Sequence, residues 1–353
     1  MKPAGNNNAE NSSLESLAEL SEILSSKTAA AINQIDHING ETEVLAINAL
    51  IEASRAGEAG KAFSIVAEEM GKLSRKIGDT IEKLRDESLG SISELKDIIK
   101  MQATNIRGVR LSDLAMTNID LVDRSLYERS CDVRWWAKDP SMVSALASAS
   151  PESSKAASAR MSVILNAYTV YFDLVLCDAN GNVVANGKPD MFNFKSANQK
   201  ESEWFRSAMA AAARDEFGCS PVHRSPYLDD QLAVIFSCCV RDGATGRILG
   251  VLGTVFDWEK LAQEIVNKTP LTKEDRAKSR VCLVDDAGTV LADTDGKILQ
   301  EAIHFDGERE VYGMKKGFGM KRYRNQECCI GHALSTGYET YSSGWHSVII
   351  QSL

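Results

Sequence analysis

No apolar run in this chain approaches the ~18 residues that a helix needs to cross a bilayer. The longest, 232–240 and 248–256, are strand-sized. No cluster of lysine and arginine stands out, and the formal charge is −9. Phosphate binding needs a basic surface, so nucleic acid is not an expected partner. The opening stretch MKPAGNNNAENSS lacks the basic-then-apolar layout of a signal peptide. Residues 1–13 are expected to be disordered, and the protein to be cytoplasmic with no transmembrane segment. None of the eight cysteines falls in a CxxC spacing, and Cys238-Cys239 and Cys328-Cys329 are adjacent pairs. That pattern predicts reduced, partly buried thiols. His223, His304, His332 and His346 are scattered without ligand spacing, so neither a metal nor a cofactor is expected. A phosphate-cradling glycine loop, a nucleophile elbow and an HExxH pattern are all missing, and the chain is not expected to be an enzyme.

What is present divides into two textures. From residue 14 to about 56 the apolar positions step by three and four: Leu17, Leu20, Leu24, Ala31, Ile35, Ile38, Leu45 and Ala49. After a short stop at Gly57-Glu58-Ala59-Gly60 the pattern resumes through Phe63, Val66, Met70, Leu73, Ile77, Ile81, Leu84, Leu95 and Ile98. This spacing predicts a coiled-coil seam on two antiparallel helical arms over 14–104, turning at 57–60. A two-helix hairpin leaves apolar flanks bare, so a homodimeric four-helix coiled coil is expected. The helical pattern continues to about 137, giving a long connecting helix over 105–137 with Gly90 and Gly108 as soft points. Pro140 and SASPESS then interrupt it.

Beyond residue 160 short strands alternate with Asp/Asn/Gly turns. LVLCDANGNVVAN (174–186) and VCLVDDAGTVLAD (281–293) match at a constant offset of 107 residues. Each copy predicts strand, tight turn, strand, with Gly181 and Gly288 supplying the turn's positive φ. Two tandem antiparallel-sheet modules, 138–270 and 271–353, are expected. In the first, 202–213 is expected to be a helix. The fold class is α+β: a helical hairpin, a long helix and two PAS-like modules.

The stretch from Asp36 to Leu73, and most specifically LAINALIEASRAGE (45–58), resembles the signalling hairpin tip of methyl-accepting chemotaxis receptors. The C-terminal 220 or so residues, with GVLGTVFDW and STGYETYSSGWHSVI, look like a double Cache sensor, a pair of PAS-like modules carried by a long helix. The first resemblance implies that the turn docks on neighbouring dimers, on the histidine kinase CheA and on the coupling protein CheW. Asn48, Glu52 and Arg55, at i, i+4 and i+7, share one helix face. Val44, Ile51 and Ile65 add apolar anchors, Glu58 lies in the turn, and Gly57 and Gly60 let the chain reverse. Where the family carries an aromatic residue, this chain has Gly40-Glu41-Thr42-Glu43, so packing of three dimers loses roughly 2–3 kcal/mol per site. No separate Glu/Gln segment suits methylation.

The Cache resemblance implies a small-molecule pocket, for an amino acid or another small metabolite, lined by Tyr168, Tyr171, Trp204, Phe205, Tyr227 and Asp257. Asp257 either pairs with a ligand ammonium or caps the following helix. The arginine expected two residues before Trp204 is Ser202. Two functions follow: a chemoreceptor-like transducer that modulates a kinase through its tip, or a small-molecule sensor whose degenerate hairpin only dimerises or meets another partner.

Overall fold

The computed structural model describes residues 6–210 and 216–353. Residues 1–5 of the stretch expected to be disordered, and 211–213 of the expected helix, lie outside them. The chain divides into two units, Met1–Ile106 and Arg107–Leu353.

In the first unit, helix α1 (Asn6–Arg55) is followed by a 3-10 turn (Gly57–Gly60) and by helix α2, which starts at Lys61 and ends at Trp136 in the second unit. The helix starts at Asn6, inside the stretch expected to be disordered. Residues 6–13 hold no glycine or proline, and extending a nucleated helix costs little per residue. The arms are antiparallel: Ser74 Oγ donates to Asn39 O (3.2 Å) and Oδ1 (2.9 Å), and Arg85 donates to Asn33 Oδ1 at 3.3 Å.

The seam between the arms differs from the expected stripe. Its buried residues are Ala46, Ala53, Gly60, Ala67, Ser74 and Ile81, seven apart from first to last, with Ser21, Ile32 and Ile92 further out. Small side chains let the two backbones approach closely. A Cβ on Gly60 would lie 2.1 Å from Ala53 O. Twelve large apolar residues of the expected seam, Leu17, Leu20, Leu24, Ile35, Ile38, Leu45, Phe63, Val66, Leu73, Leu84, Leu95 and Ile98, are exposed on the single chain, whereas Met70 and Ile77 are half-buried and Ile81 is buried as expected. Periodicity correctly located an apolar stripe, but most of the stripe, Ile81 excepted, is left bare by the hairpin's own partner arm.

In the second unit α2 is followed by α3 (Pro140–Ser148) and α4 (Pro151–Ala167). The side chains of Asp139 and Ser150 accept from Ser141 N and Ser153 N at their N-termini, with proline in the first turn of each. The first module's sheet comprises β1 (Tyr171–Asp178), β2 (Val183–Asn186), β3 (Gly218–Cys219), β4 (His223–Ser225), β5 (Gln231–Arg241) and β6 (Ile248–Asp257), with α5 (Glu203–Ala210) packed on it. A π-type turn (Glu259–Gln263), α6 (Glu264–Lys268) and α7 (Lys273–Ala277) lead to the second module. That module holds β7 (Ser279–Val284), β8 (Val290–Asp293), α8 (Glu308–Tyr312), β9 (Lys316–Tyr323), β10 (Gln326–Leu334) and β11 (His346–Ser352).

The strand orders, β2-β1-β6-β5-β3 and β8-β7-β11-β10-β9, are the same path traced twice. The register repeats as well: Val175 faces Asn186 as Cys282 faces Asp293, and the shift after Leu176 recurs after Leu283. Gly181 and Gly288 have φ of +83° and +82°. One face of each sheet packs on a shared core with α2, which contributes Leu111, Ala115, Ile119, Val122, Leu126 and Val133. Gly108, expected as a soft point, is a close crossing instead. A Cβ there would lie 2.1 Å from the Phe318 ring.

Candidate functional site

At the hairpin tip Val44, Ile51 and Ile65 are exposed, as are Asn48, Glu52, Arg55 and Glu58. Arg55 Nη1 donates to Glu52 Oε1 at 2.8 Å, and Lys61 Nζ lies 2.6 Å from Glu58 Oε1. Exposed ion pairs of this kind are worth ~0–1 kcal/mol, so they do not hold the turn together. The turn is held by the backbone: Gly57 has φ +58°, and Gly60 fits against Ala53 only because it has no Cβ. The tip therefore presents a charged and an apolar group side by side on rigid helix ends.

In the sensor unit the six expected ligand residues do not converge. Tyr171 lies on the α2 side of the first sheet, where its Oη donates to Asp132 Oδ2 at 2.6 Å and the Arg129 guanidinium sits 5.3 Å from its ring. Tyr168 packs edge-on against Trp136. Trp204, Phe205 and Tyr227 belong to the opposite face. A register shift between Tyr171 and Asp173 explains the split. Counting in twos back from Leu174 puts Phe172 on the α2 side, whereas the shift sends Tyr171 there and Phe172 to the other.

The opposite face is filled with rings. Phe172 meets Phe192, Phe192 meets Phe194, and Phe194 meets Tyr227 at 5.0 Å between centroids. The Trp204 ring covers Gly253, where a Cβ would meet it at 2.9 Å. Ser202, in the place of the expected arginine, closes a local turn by donating to Gln199 O at 2.6 Å. Asp257 Oδ1 accepts from Lys260 N at 3.0 Å, the capping role. Burial raises its carboxyl, and the Lys260 amide and ammonium oppose that rise. Asp257 also borders an open groove of about 760 Å³ together with Phe172, Gln231, Lys260 and Gln263. Of the expected set, Asp257 alone lines this groove, and Phe172 is its aromatic wall.

Sequence reasoning missed a set of polar pins on α2. Asp123, fully buried, accepts from Ser335 Oγ (2.7 Å), Gly337 N (3.0 Å), Ser343 Oγ (2.8 Å) and Ser343 N (3.4 Å), all from the β10–β11 connection. Asn118 Nδ2 donates to Thr269 Oγ1 at 3.0 Å, and Arg110 pairs with Asp275 at 3.1 Å. The available signal was a polar residue within an apolar helical stripe: Asn118 beside Ile119, Asp123 beside Val122. The modules are tied to each other by Trp258, whose Nε1 donates to Leu291 O at 2.7 Å.

Residues 5–160 match the family model of the methyl-accepting chemotaxis protein (MCP) signalling domain. The hairpin is thus similar to a chemoreceptor signalling domain. A probable chemoreceptor, y4sI of Sinorhizobium fredii, is 44% identical to this chain over 62 residues, 18% of this chain and 8% of that protein. The chain spans between 8% and 23% of the length of the curated relatives it matches. The sensory domain of the Campylobacter jejuni chemoreceptor Tlp3, solved with isoleucine bound, superposes with a TM-score of 0.52 at 18% identity, covering 69% of this chain and 91% of that one. The sensor domain of the V. cholerae histidine kinase DctB gives 0.51 at 12% identity over 68% and 95%. These likenesses show the fold of the sensor unit. The chain thus joins a hairpin similar to a chemoreceptor signalling domain to a unit with the fold of these sensory domains. Among the described residues no helix is long and apolar enough to cross a membrane.

Proposed function

We propose that the sensor unit binds a small metabolite and that the hairpin tip, in a homodimer, modulates the chemotaxis histidine kinase CheA with its coupling protein CheW. The signalling part spans 14–104, and the two sensor modules span 138–270 and 271–353. The observation that carries this reading is the exposed Asn48–Glu52–Arg55 face beside Val44, Ile51 and Ile65. Polar groups on such a face fix the register of a docked partner, and adjacent apolar groups add binding energy. The outward apolar stripe supports the dimer, since burying it against a second copy gives the four-helix arrangement. All eight cysteines are free, as suits a reducing, cytoplasmic setting.

For the ligand, Tlp3's isoleucine favours an amino acid, with Asp257 receiving its ammonium in the groove beside Phe172. The hairpin would be reached through α2, which the two units share.

The test is a pull-down of CheA and CheW by the full chain, repeated with Glu52→Ala and Arg55→Ala. Binding by the wild type and a loss of tenfold or more in each variant is the expected result. A dimeric wild type that captures neither protein favours the second reading, a sensor whose hairpin only dimerises or meets another partner. Gly40, where the family carries an aromatic residue, and the added charge of Glu41 and Glu43 motivate that reading.

A further inference from the structure

Residues 169–172, at the start of β1, are held from two sides. On the groove side Lys260 Nζ donates to Thr169 O and the Asp257 amide to Val170 O, both at 3.0 Å. On the other side the buried Tyr171 donates through Oη to Asp132 Oδ2 of α2 at 2.6 Å. Phe172, Asp257 and Lys260 all line the groove, so whatever moves them moves the strand end that carries Tyr171. Burial pushes the Tyr171 hydroxyl above its ordinary value, so it keeps the proton it donates.

The Tyr171 ring has contacts of its own with α2. Trp136 meets it edge-on at 5.4 Å between centroids, and the Arg129 guanidinium lies over it while Arg129 Nε sits 3.1 Å from Asp132 Oδ2. Ring packing tolerates sliding, because many weak dispersion contacts are exchanged for others. An O–H···O bond tolerates little, since it weakens steeply outside a narrow range of distance and angle. The hydroxyl, rather than the ring, is therefore the part of Tyr171 that makes α2 follow the strand.

We propose that Tyr171 is a positioning residue: through its hydrogen bond to Asp132 it carries a displacement at the groove beside Asp257 to the C-terminal end of α2. As a signalling step this rests on the ligand reading of that groove, whereas the link itself is testable without a ligand.

The experiment is hydrogen exchange over α2 residues 129–136 in the full chain, read by mass spectrometry. Lys260→Met, which cuts the tie to Thr169 O, supplies a push from the groove side. It should raise exchange over 129–136 by about threefold or more when Tyr171 is present, and add nothing in Tyr171→Phe. A Tyr171 that only stabilised the fold would leave the two substitutions additive. Asp132→Asn, which keeps an acceptor oxygen for the hydroxyl, should still transmit the push, and Asp132→Leu should not. If Tyr171→Phe does not fold, Asp132→Leu decides. Isoleucine, added at concentrations that saturate each variant by calorimetry, supplies a second push and should shift exchange over 129–136 in the wild type and not in Tyr171→Phe. Absence of isoleucine binding would count against the amino-acid ligand alone, and the Lys260→Met arm would then decide the link. Two results would overturn the proposal: unchanged exchange over 129–136 in Lys260→Met, or the same change with and without the Tyr171 hydroxyl.

Discussion

The two sensor modules place different chemistry at the same point of the same fold. At an offset of 107 residues, Asp173 and Asn186 of the first correspond to Arg280 and Asp293 of the second. Both pairs are buried beside the equivalent hairpin. Asn186 Nδ2 donates to Asp173 Oδ2 at 2.7 Å, and Arg280 Nη2 to Asp293 Oδ2 at 2.6 Å. The first module buries a carboxyl with neutral donors only: Asn186 and the amides of Leu174, Gly187 and Lys188. Burial pushes that carboxyl up to about 6 despite those four donors. The second module buries a carboxylate against a cation. Burial alone would raise Asp293, but Arg280 and the amides of Lys297 and Asp295 overcome it and hold the group below its ordinary value. A duplicated backbone thus tolerates either solution, and the choice decides how each half answers acid.

The largest way to break the comparison is Arg280→Met. Asp293 and Glu301 lie 2.6 Å from Arg280 Nη2, and Asp295 lies 3.4 Å from its Nε. Stranding a buried carboxylate costs about 3–5 kcal/mol. Urea unfolding should show that loss, with the second module melting first.

The next prediction concerns pH. For Asp173 the folded pKa lies above the unfolded value, so the first module is most stable below about pH 4 as far as this group is concerned. It loses roughly 3 kcal/mol as pH rises to about 6 and through it. Asp173→Asn should abolish that slope between pH 4.5 and 7.5, read as the urea midpoint. The second module slopes the other way. Its Asp293 contribution is present above the unfolded carboxylate value and is lost as pH falls below about 4. His332 and His346 add to this. Their rings share a 2.6 Å hydrogen bond, and burial pushes His332 down to about 3 and lowers His346. Neutral in the fold and protonated when unfolded, they weaken the second module as pH falls below about 6.5. Tryptophan fluorescence at pH 4 should report the second module's transition before the first's.

The smallest effect is expected from Trp258→Phe, which keeps most of the packing but removes the Nε1–H that reaches Leu291 O. One such bond is worth about 1 kcal/mol. The informative readout is calorimetric: the variant should split one unfolding endotherm into two, sharpening the difference between the modules. A single endotherm in the variant would show that the shared core on α2 couples them without Trp258.

Much of this fold was legible in the chain itself. The turn at 57–60 and the paired strand-turn-strand motifs follow from glycine placement and from periods of two and of three to four. The hairpin's internal seam was not legible, because periodicity finds an apolar stripe without saying what it meets. Leu45 and Phe63 were read as coiled-coil seam and are exposed on the single chain, while Ala46 and Gly60, which carry little hydrophobic signal, are buried. The candidate site was less legible. One register shift moved Tyr171 and Phe172 to opposite faces, and no local pattern announces such a shift. Asp123 went unnoticed because its partners lie more than two hundred residues further along the chain.

That carboxylate has a mechanical consequence. Hydroxyls and amides gathered from one loop onto two oxygens cannot be surrendered one at a time by a stiff rod. Sliding α2 along its axis moves Asp123 away from all of them together. The resistance to such a slide behaves as a detent with a threshold rather than as a spring, and stepwise transmission suits a device that must ignore thermal jostling.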